Sequence, residues 1–234
     1  MLKKDKKMSW GWTIVLIAIG LVCIYPFLFM VSSSFKISGD VLTKPLQLIP
    51  DQIILSNYSD LFGDPYYDFG QWYINTIVMT VTTIVIKVFV VSITAYAFSK
   101  INFKGRDGIF LVLLTSLMIP SDIMLIPRYV IFKQIHILDT MWSLVLPATF
   151  DIYFVFMMRQ AFIGIPEEIS EAARIDGCNH FRIYSRIILP LAKPSIVTLI
   201  LFTFVWSWND YMGPYIFISS LEKQMLSVGI KLFT

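Results

Sequence analysis

Two ionisable side chains in this sequence lie inside long apolar stretches, where an unpaired charge is costly. Lys87 lies in residues 71–98 and Asp151 in residues 141–158. Opposite charges in such surroundings stabilise each other, so we expect Lys87 and Asp151 to form an ion pair. The pair could order helix packing or take part in a path or gate for a polar solute. Alternatively, the lysine extends its apolar stem and places its ammonium group in water.

A cluster of aromatic and polar side chains lies in the last long apolar stretch. It consists of Trp206, Trp208, Asn209, Asp210 and Tyr211. Ring faces beside amide and carboxylate groups suit sugars, which present apolar C–H faces and hydroxyl edges. The candidate contacts to a solute are therefore Trp208, Asn209, Asp210 and Tyr211. The other interpretation is an aromatic belt, because Trp and Tyr are enriched wherever a helix meets the membrane interface.

Patterns typical of catalysis are missing from the sequence. His136 and His180 have no second metal ligand or nucleophile at a suitable spacing, and neither HExxH nor paired carboxylates within one apolar run occurs. The phosphate-binding pattern GxxxxGK[ST] is also absent. We therefore expect no catalytic residue, no metal and no cofactor in this chain.

The polar stretch 159–189 has the pattern of a short amphipathic helix. Pro166 suits its first turn, acidic side chains precede basic ones, and Gly177 supplies a stop or sharp turn. Residues at a spacing of three to four form one stripe: Ile165, Ile169, Ala172, Ala173 and Asp176. Such a helix could rest on lipid, and its small residues also suit close docking into a cleft on another protein.

The elements that position these groups are predicted to be membrane-spanning helices. The chain is 56% hydrophobic and only 15% charged, against roughly 45–50% apolar and about 25% charged residues in soluble domains. Five apolar segments are near or above the length that spans a bilayer: residues 9–35, 71–98, 108–126, 141–158 and 190–219. The expected fold is an all-α, polytopic membrane protein with a single domain over residues 1–234.

The basic residues predict the orientation of these spans. Counted over alternate loops, twelve lie on the side of the N-terminus and six on the other, while Lys87 lies within a span. The positive-inside rule then places the N-terminus and residues 159–189 in the cytoplasm. A net charge of +3 gives no indication of nucleic-acid binding.

The cytoplasmic stretch also resembles a known motif. The residues IPEEISEAARIDGCNHFRIYSRIILPLAKP, from Ile165 to Pro194, are similar to the EAA loop of ABC-importer permeases. Further similarity to the carbohydrate-uptake branch, in particular its smaller maltose-permease-like subunit, comes from NYSDLF, AYAFSKINFKGRD, MIPSDIMLIPRY, WND and LSVGI. Together these pieces extend over most of the chain.

The resemblance implies the transmembrane domain of a type I ABC importer, with a MetI-like fold, in a bacterial or archaeal inner membrane. Its partners would be a second homologous permease, two ATPase subunits that bind ATP and Mg²⁺, an extracytoplasmic solute-binding protein, membrane lipid and a sugar. By motif position, the contacts with the ATPases would be made by Glu171, Ala172, Ala173, Asp176 and Gly177. Members of this branch have a sixth span, so we expect one beyond the five.

A secondary transporter driven by an ion gradient is the alternative function. Such transporters usually carry coupling carboxylates within their spans and often show an internal repeat. Only Asp151 is clearly placed in the middle of a predicted span, and no repeat is visible. An importer permease that itself performs no enzymatic reaction is therefore the favoured interpretation.

Overall fold

The computed structural model describes residues 10–232. The predicted cytoplasmic N-terminal segment and the first residue of the predicted first span lie outside this range. All regular structure in the described residues is helical, which confirms the all-α prediction. The chain separates into two compact units, residues 1–65 and 66–234.

The first unit contains one long helix followed by two short ones, α1 (Trp10–Ser33), α2 (Ser38–Thr43) and α3 (Ser56–Phe62). Helix α1 is apolar on all sides and continues through Pro26. Its side chains are largely exposed. A helix that is apolar all round and long enough to cross a bilayer is typical of a lipid-facing span.

The second unit contains the remaining helices. They are α4 (Phe69–Lys100), α5 (Arg106–Thr115), α6 (Leu125–Gln134), α7 (Trp142–Thr149), α8 (Ile152–Ile163), α9 (Glu167–Ile175), α10 (His180–Ile183), α11 (Leu189–Leu191), α12 (Lys193–Asn209), α13 (Met212–Phe217) and α14 (Leu226–Leu232). Short 3-10 turns occupy Ser116–Met118, Ser121–Met124 and Leu221–Lys223, and a π-helical turn, Tyr184–Ile188, joins α10 to α11.

Helix α4 is the central element of this unit. It has 32 residues, so it is about 48 Å long at roughly 1.5 Å per residue and exceeds a hydrocarbon core of about 30 Å. The Asp68 carboxylate caps its start by accepting from the Gln71 backbone N–H, and Lys100 lies in its last turn. Helices α7, α8 and α12 pack around it.

The prediction of five spans is not confirmed. Two helices, Trp10–Ser33 and Phe69–Lys100, are long and apolar enough to cross a membrane, and two bent pairs raise the number to four. The first pair bends by 91° between Arg106–Met118 and Ser121–Gln134, and the second bends by 80° between His180–Leu191 and Lys193–Asn209. Helix α8 is apolar but has only 12 residues.

Proline and a carboxylate account for two breaks in the predicted spans. Ile119 is extended immediately before Pro120, because a following proline disfavours the helical conformation. The predicted span at residues 141–158 divides at Phe150 and Asp151, where Asp151 caps α8 by accepting from the Tyr153 backbone N–H. The span predicted at 190–219 is helical over Lys193–Asn209 and breaks at Asp210 before α13.

Candidate functional site

A cavity of about 990 Å³ lies within the second unit, in the helical bundle around α4. Charged, hydroxyl and aromatic groups line it beside many apolar side chains. The polar and aromatic lining used below is Lys87, Arg128, Asp151, Thr203, Trp206, Ser207 and Asp210. This volume is at the upper end of the roughly 300–1,000 Å³ of small-molecule sites.

The two charges singled out in the sequence meet at the wall of this cavity. Lys87 Nζ donates to Asp151 Oδ2 at 2.8 Å. The Lys87 side chain is 4% exposed and the Asp151 side chain 24% exposed. The ammonium group also lies 4.4 Å from the centroid of the Phe154 ring, so a carboxylate and an aromatic face both stabilise its charge.

Helix α12 presents a polar stripe to the cavity. Thr203 and Ser207 lie one turn apart on one face of α12, and Asp210, the C-cap residue at which the helix ends, follows three residues later. Trp206 lines the cavity beside them and is 48% exposed. Its ring packs against Phe154, with 5.2 Å between the ring centroids.

Of the four solute contacts predicted from sequence, only Asp210 lines the cavity. Trp208 instead packs against Phe204 and Tyr73, at ring-centroid distances of 5.5 Å and 5.7 Å. The Asn209 amide donates to the Val205 carbonyl one turn earlier in α12. Tyr211 stacks on Tyr215, and the Lys231 ammonium lies 4.2 Å from the centroid of the Tyr211 ring.

Helix α9 is the amphipathic helix expected in the polar stretch. It begins after Pro166 as the N-cap residue and ends at Asp176 as the C-cap, with Gly177 next at a φ of +80°. Glu167 and Glu168 lie in the first turn and Arg174 in the last, so the charges oppose the helix dipole at both ends. The positive φ explains a glycine at residue 177, since a side chain is strained there.

The side chain of Lys100 attaches α9 to the end of α4. Lys100 Nζ donates to the Ile165 carbonyl at 2.7 Å and to Glu167 Oε2 at 3.0 Å. The lysine side chain is only 4% exposed, and Glu167 also pairs with Arg174 at 3.0 Å. Sequence reasoning missed this contact, because Lys100 was counted only as one of the cytoplasmic charges.

The predicted coupling residues do not all share one surface. Glu171, Ala172, Asp176 and Gly177 are exposed, whereas Ala173 is buried and belongs to the core that α4, α8 and α12 form. Near the exposed set lie two large apolar side chains, Ile175 at 87% exposure and Phe181 at 64%. The small size of Ala173 therefore serves packing within this chain.

The stretch between α6 and α7 is tied to the stretch after α13 by one carboxylate. Asp139 Oδ1 accepts from the backbone N–H groups of Ser219 and Ser220, and Oδ2 accepts from the Ser220 hydroxyl and from Lys223 Nζ, at 2.6–2.9 Å. Burial alone would raise the pKa of this carboxyl, but the hydrogen bonds from Ser220, Lys223 and Ser219 lower it well below its usual range. The sequence carried no signal for this contact beyond an aspartate in a loop.

No metal centre is formed by the residues in the described range 10–232, where no group of three or more His, Cys, Asp or Glu side chains is arranged to hold an ion. The side chains that line the cavity supply groups for hydrogen bonding, ring stacking and charge pairing.

Comparison with known proteins places this architecture in a family. Residues 87–232 match the sequence model of the binding-protein-dependent transport system inner membrane component. The chain belongs to this family. The matched range includes α9, α12 and every residue that lines the cavity except Met79, and the match confirms the resemblance to ABC-importer permeases that the loop motif indicated.

Two curated relatives of this chain have names that describe transport. The chain is 31% identical over 222 residues to the arabinooligosaccharides transport system permease protein AraQ of Bacillus subtilis, covering 93% of this chain and 78% of AraQ. It is 32% identical over 212 residues to the inner membrane ABC transporter permease protein YcjP of Escherichia coli, covering 90% of this chain and 76% of YcjP. The family member is accordingly a multi-pass inner-membrane transport subunit.

A solved structure has the same fold. It is a bacterial ABC transporter involved in the import of the acidic polysaccharide alginate, matched with a TM-score of 0.84 and 25% sequence identity. The match covers 99% of this chain and 81% of the other. The fold is therefore that of an ABC-importer permease.

Proposed function

We propose that this family member is one permease subunit of an ATP-driven importer and forms half of the translocation path for a sugar or oligosaccharide. Residues 1–234 act as one permease domain with the N-terminus in the cytoplasm. The observation that carries the proposal is the exposed helix α9, attached to the central helix α4 by a buried lysine.

The exposed side of α9 is proposed to contact the ATPase subunits. Glu171, Ala172, Asp176 and Gly177 are available to a partner, and the nearby Ile175 side chain offers an apolar anchor. A short helix with small and apolar groups on its open side can enter a cleft of another protein closely. Since the ATPases would hold ATP and Mg²⁺, this chain needs no cofactor of its own.

The contacts at the base of α9 support its use as a lever. Lys100 joins the start of α9 to the end of α4. Arg159, in the second half of α8, donates to the Phe98 carbonyl near the end of α4 and pairs with Asp107 of α5. Movement of α9 would therefore be carried to both α4 and α8. Lys87 of α4 and Asp151 at the start of α8 line the cavity. Coupling between distant sites can be carried by such chains of hydrogen bonds, ion pairs and packed helices.

The proposed cargo and partners follow from the relatives and from the cavity. AraQ is named for arabinooligosaccharides, and the solved structure belongs to an alginate importer. A cavity with hydroxyl, carboxylate and indole groups suits a saccharide. A second homologous permease would complete the path, and a solute-binding protein outside the membrane would deliver the sugar.

The test of coupling is Gly177→Asp, with Gly105→Asp as its matched control. Both glycines are exposed and have a positive φ, +80° and +84°, so the backbone strain of the two substitutions is similar. We expect Gly177→Asp to insert normally but to lose ATP-driven uptake and co-purification of the ATPase subunits, whereas Gly105→Asp retains both. Equal behaviour of the two variants would contradict the proposed contact.

Adjacent alanines provide a second comparison. Ala172→Trp should weaken ATPase binding without changing the yield of folded permease, because Ala172 is exposed. Ala173→Trp should instead reduce the yield, because Ala173 is buried in the core. Normal ATPase binding by a well-expressed Ala172→Trp permease would show that α9 is not part of the interface with the ATPases.

A further inference from the structure

The cavity wall formed by α12 contains a buried hydroxyl group that lacks a partner. Thr203 is 1% exposed, and within the described part of the chain its Oγ1 has no hydrogen-bond partner. A threonine inside a helix often donates to the carbonyl four residues earlier, as Thr198 does to Pro194. Thr203 does not, although it lines the cavity. An unsatisfied buried hydroxyl costs free energy that a bound polar ligand would recover.

An aromatic surface lies one position before Ser207 on the same helix. Three rings hold Trp206, with centroid distances of 5.2 Å to Phe154, 5.8 Å to Phe202 and 6.2 Å to Tyr153. Because these contacts restrain its ring while 48% of the side chain stays exposed, Trp206 offers a fixed indole surface. The apolar C–H face of a sugar ring can stack on such a surface while its hydroxyl groups reach Thr203 and Ser207.

The charges that line the cavity balance one another. Two cations, Lys87 and Arg128, share the lining with two carboxylates, Asp151 and Asp210. Lys87 is already neutralised by Asp151 at 2.8 Å, and Asp210 lies on the same stripe as Thr203. The positive charge of Arg128 acts on Asp210, so each carboxylate of the lining faces one cation. The cavity therefore keeps no net charge to hold the carboxylate of an acidic sugar.

We propose that the cargo is a neutral saccharide, and that this chain contacts it through Thr203, Ser207 and Asp210, with Trp206 as the stacking surface. The inference rests on the proposed importer function and adds the class of sugar and the residues that hold it. The site differs from the contacts expected from sequence, since Trp208, Asn209 and Tyr211 do not line the cavity.

The test uses the complete importer in liposomes, with its partner permease, ATPases and binding protein. Uptake is measured with two neutral saccharides, arabinotriose and maltotriose, and with the acidic trigalacturonate. Wild-type importer should take up at least one neutral saccharide faster than it takes up trigalacturonate. Equal or faster uptake of trigalacturonate, or uptake of neither neutral saccharide by an importer that assembles and hydrolyses ATP, overturns the proposal.

Paired substitutions then test the residues, using the neutral saccharide that is taken up. Thr203→Val keeps the shape and removes the hydroxyl, and it should raise the KM for uptake about 2- to 12-fold, the effect of one hydrogen bond. Thr198→Val on an exposed part of the same helix is the matched control and should leave KM unchanged. Equal KM values for the two valine variants would contradict the assignment of Thr203.

The two tryptophans separate the structural assignment from the sequence prediction. Trp206→Leu should raise KM more than Trp208→Leu does, and the opposite order would overturn the stacking role of Trp206. Failure of the wild-type chain to co-purify with ATPases would instead contradict the proposed function itself. The two failures are distinguishable, because assembly is measured without sugar.

Discussion

The ion pair at the cavity wall allows a quantitative test of packing in the bundle. Lys87→Met keeps the length of the side chain but leaves Asp151 without its cation. Removing one partner of a fully buried pair costs about 3–5 kcal/mol. Asp151 is 24% exposed and keeps its bond from the Tyr153 N–H, so we expect a smaller cost of about 2–3 kcal/mol.

The double-mutant cycle isolates the pair from other effects of the substitutions. Asp151→Asn retains a side chain that can cap α8, and we expect it to destabilise the permease because it leaves Lys87 unpaired. The double variant Lys87→Met/Asp151→Asn should be more stable than the sum of the single effects predicts, by about 1–3 kcal/mol. Exchange of the two charges, Lys87→Asp with Asp151→Lys, should likewise restore expression that either single reversal reduces.

The measurement is thermal unfolding of the purified permease in detergent. The readout is the fraction of monodisperse protein that remains as the temperature rises. A control without ligand separates stability from sugar binding at the same cavity. If the single effects simply add in the double variant, Lys87 and Asp151 do not stabilise one another, and the reasoning from intramembrane charge is wrong.

Three further substitutions test other contacts by the same unfolding measurement or by uptake. Gly229→Ala should lower the stability of the folded permease by about 1–3 kcal/mol, because a Cβ at this position would overlap the ring of the fully buried Trp72. The control Gly108→Ala should leave stability unchanged, because the space around Gly108 is open. Lys100→Met should reduce uptake more than ATPase binding, because it releases α9 from α4 but leaves the exposed side of α9 intact. Equal loss of uptake and of ATPase binding would contradict the proposal that Lys100 transmits movement from α9 to α4. Asp139→Asn should lower stability by the same amount at pH 8 and pH 5. The pKa of Asp139 is lowered in the folded protein. Its contribution to stability is therefore present above the unfolded pKa of about 3.9 and is lost only as pH falls below that value. If the stability difference between wild type and Asp139→Asn disappeared between pH 8 and pH 5, the lowered pKa of Asp139 would be refuted.

Local sequence was enough to predict the type of the main elements. The apolar run at residues 71–98 is helix α4 almost to the residue, because its length and composition allow no other structure across a bilayer. Helix α9 follows from Pro166, the order of its charges and Gly177, all of which act within one or two turns. The contact between Lys87 and Asp151 could also be expected, since a charge in an apolar run needs a partner and few were available.

Tertiary structure decided which side of each helix is used. At about 100° per residue, Trp208 is turned roughly 140° away from Thr203 on α12, and only packing against α4 and α8 determines which of these sides meets the cavity. The same rotation buries Ala173 and exposes Ala172 on α9. Composition predicts that a helix forms, but its rotation about its own axis is set by neighbours far away in the chain, which a local pattern does not contain.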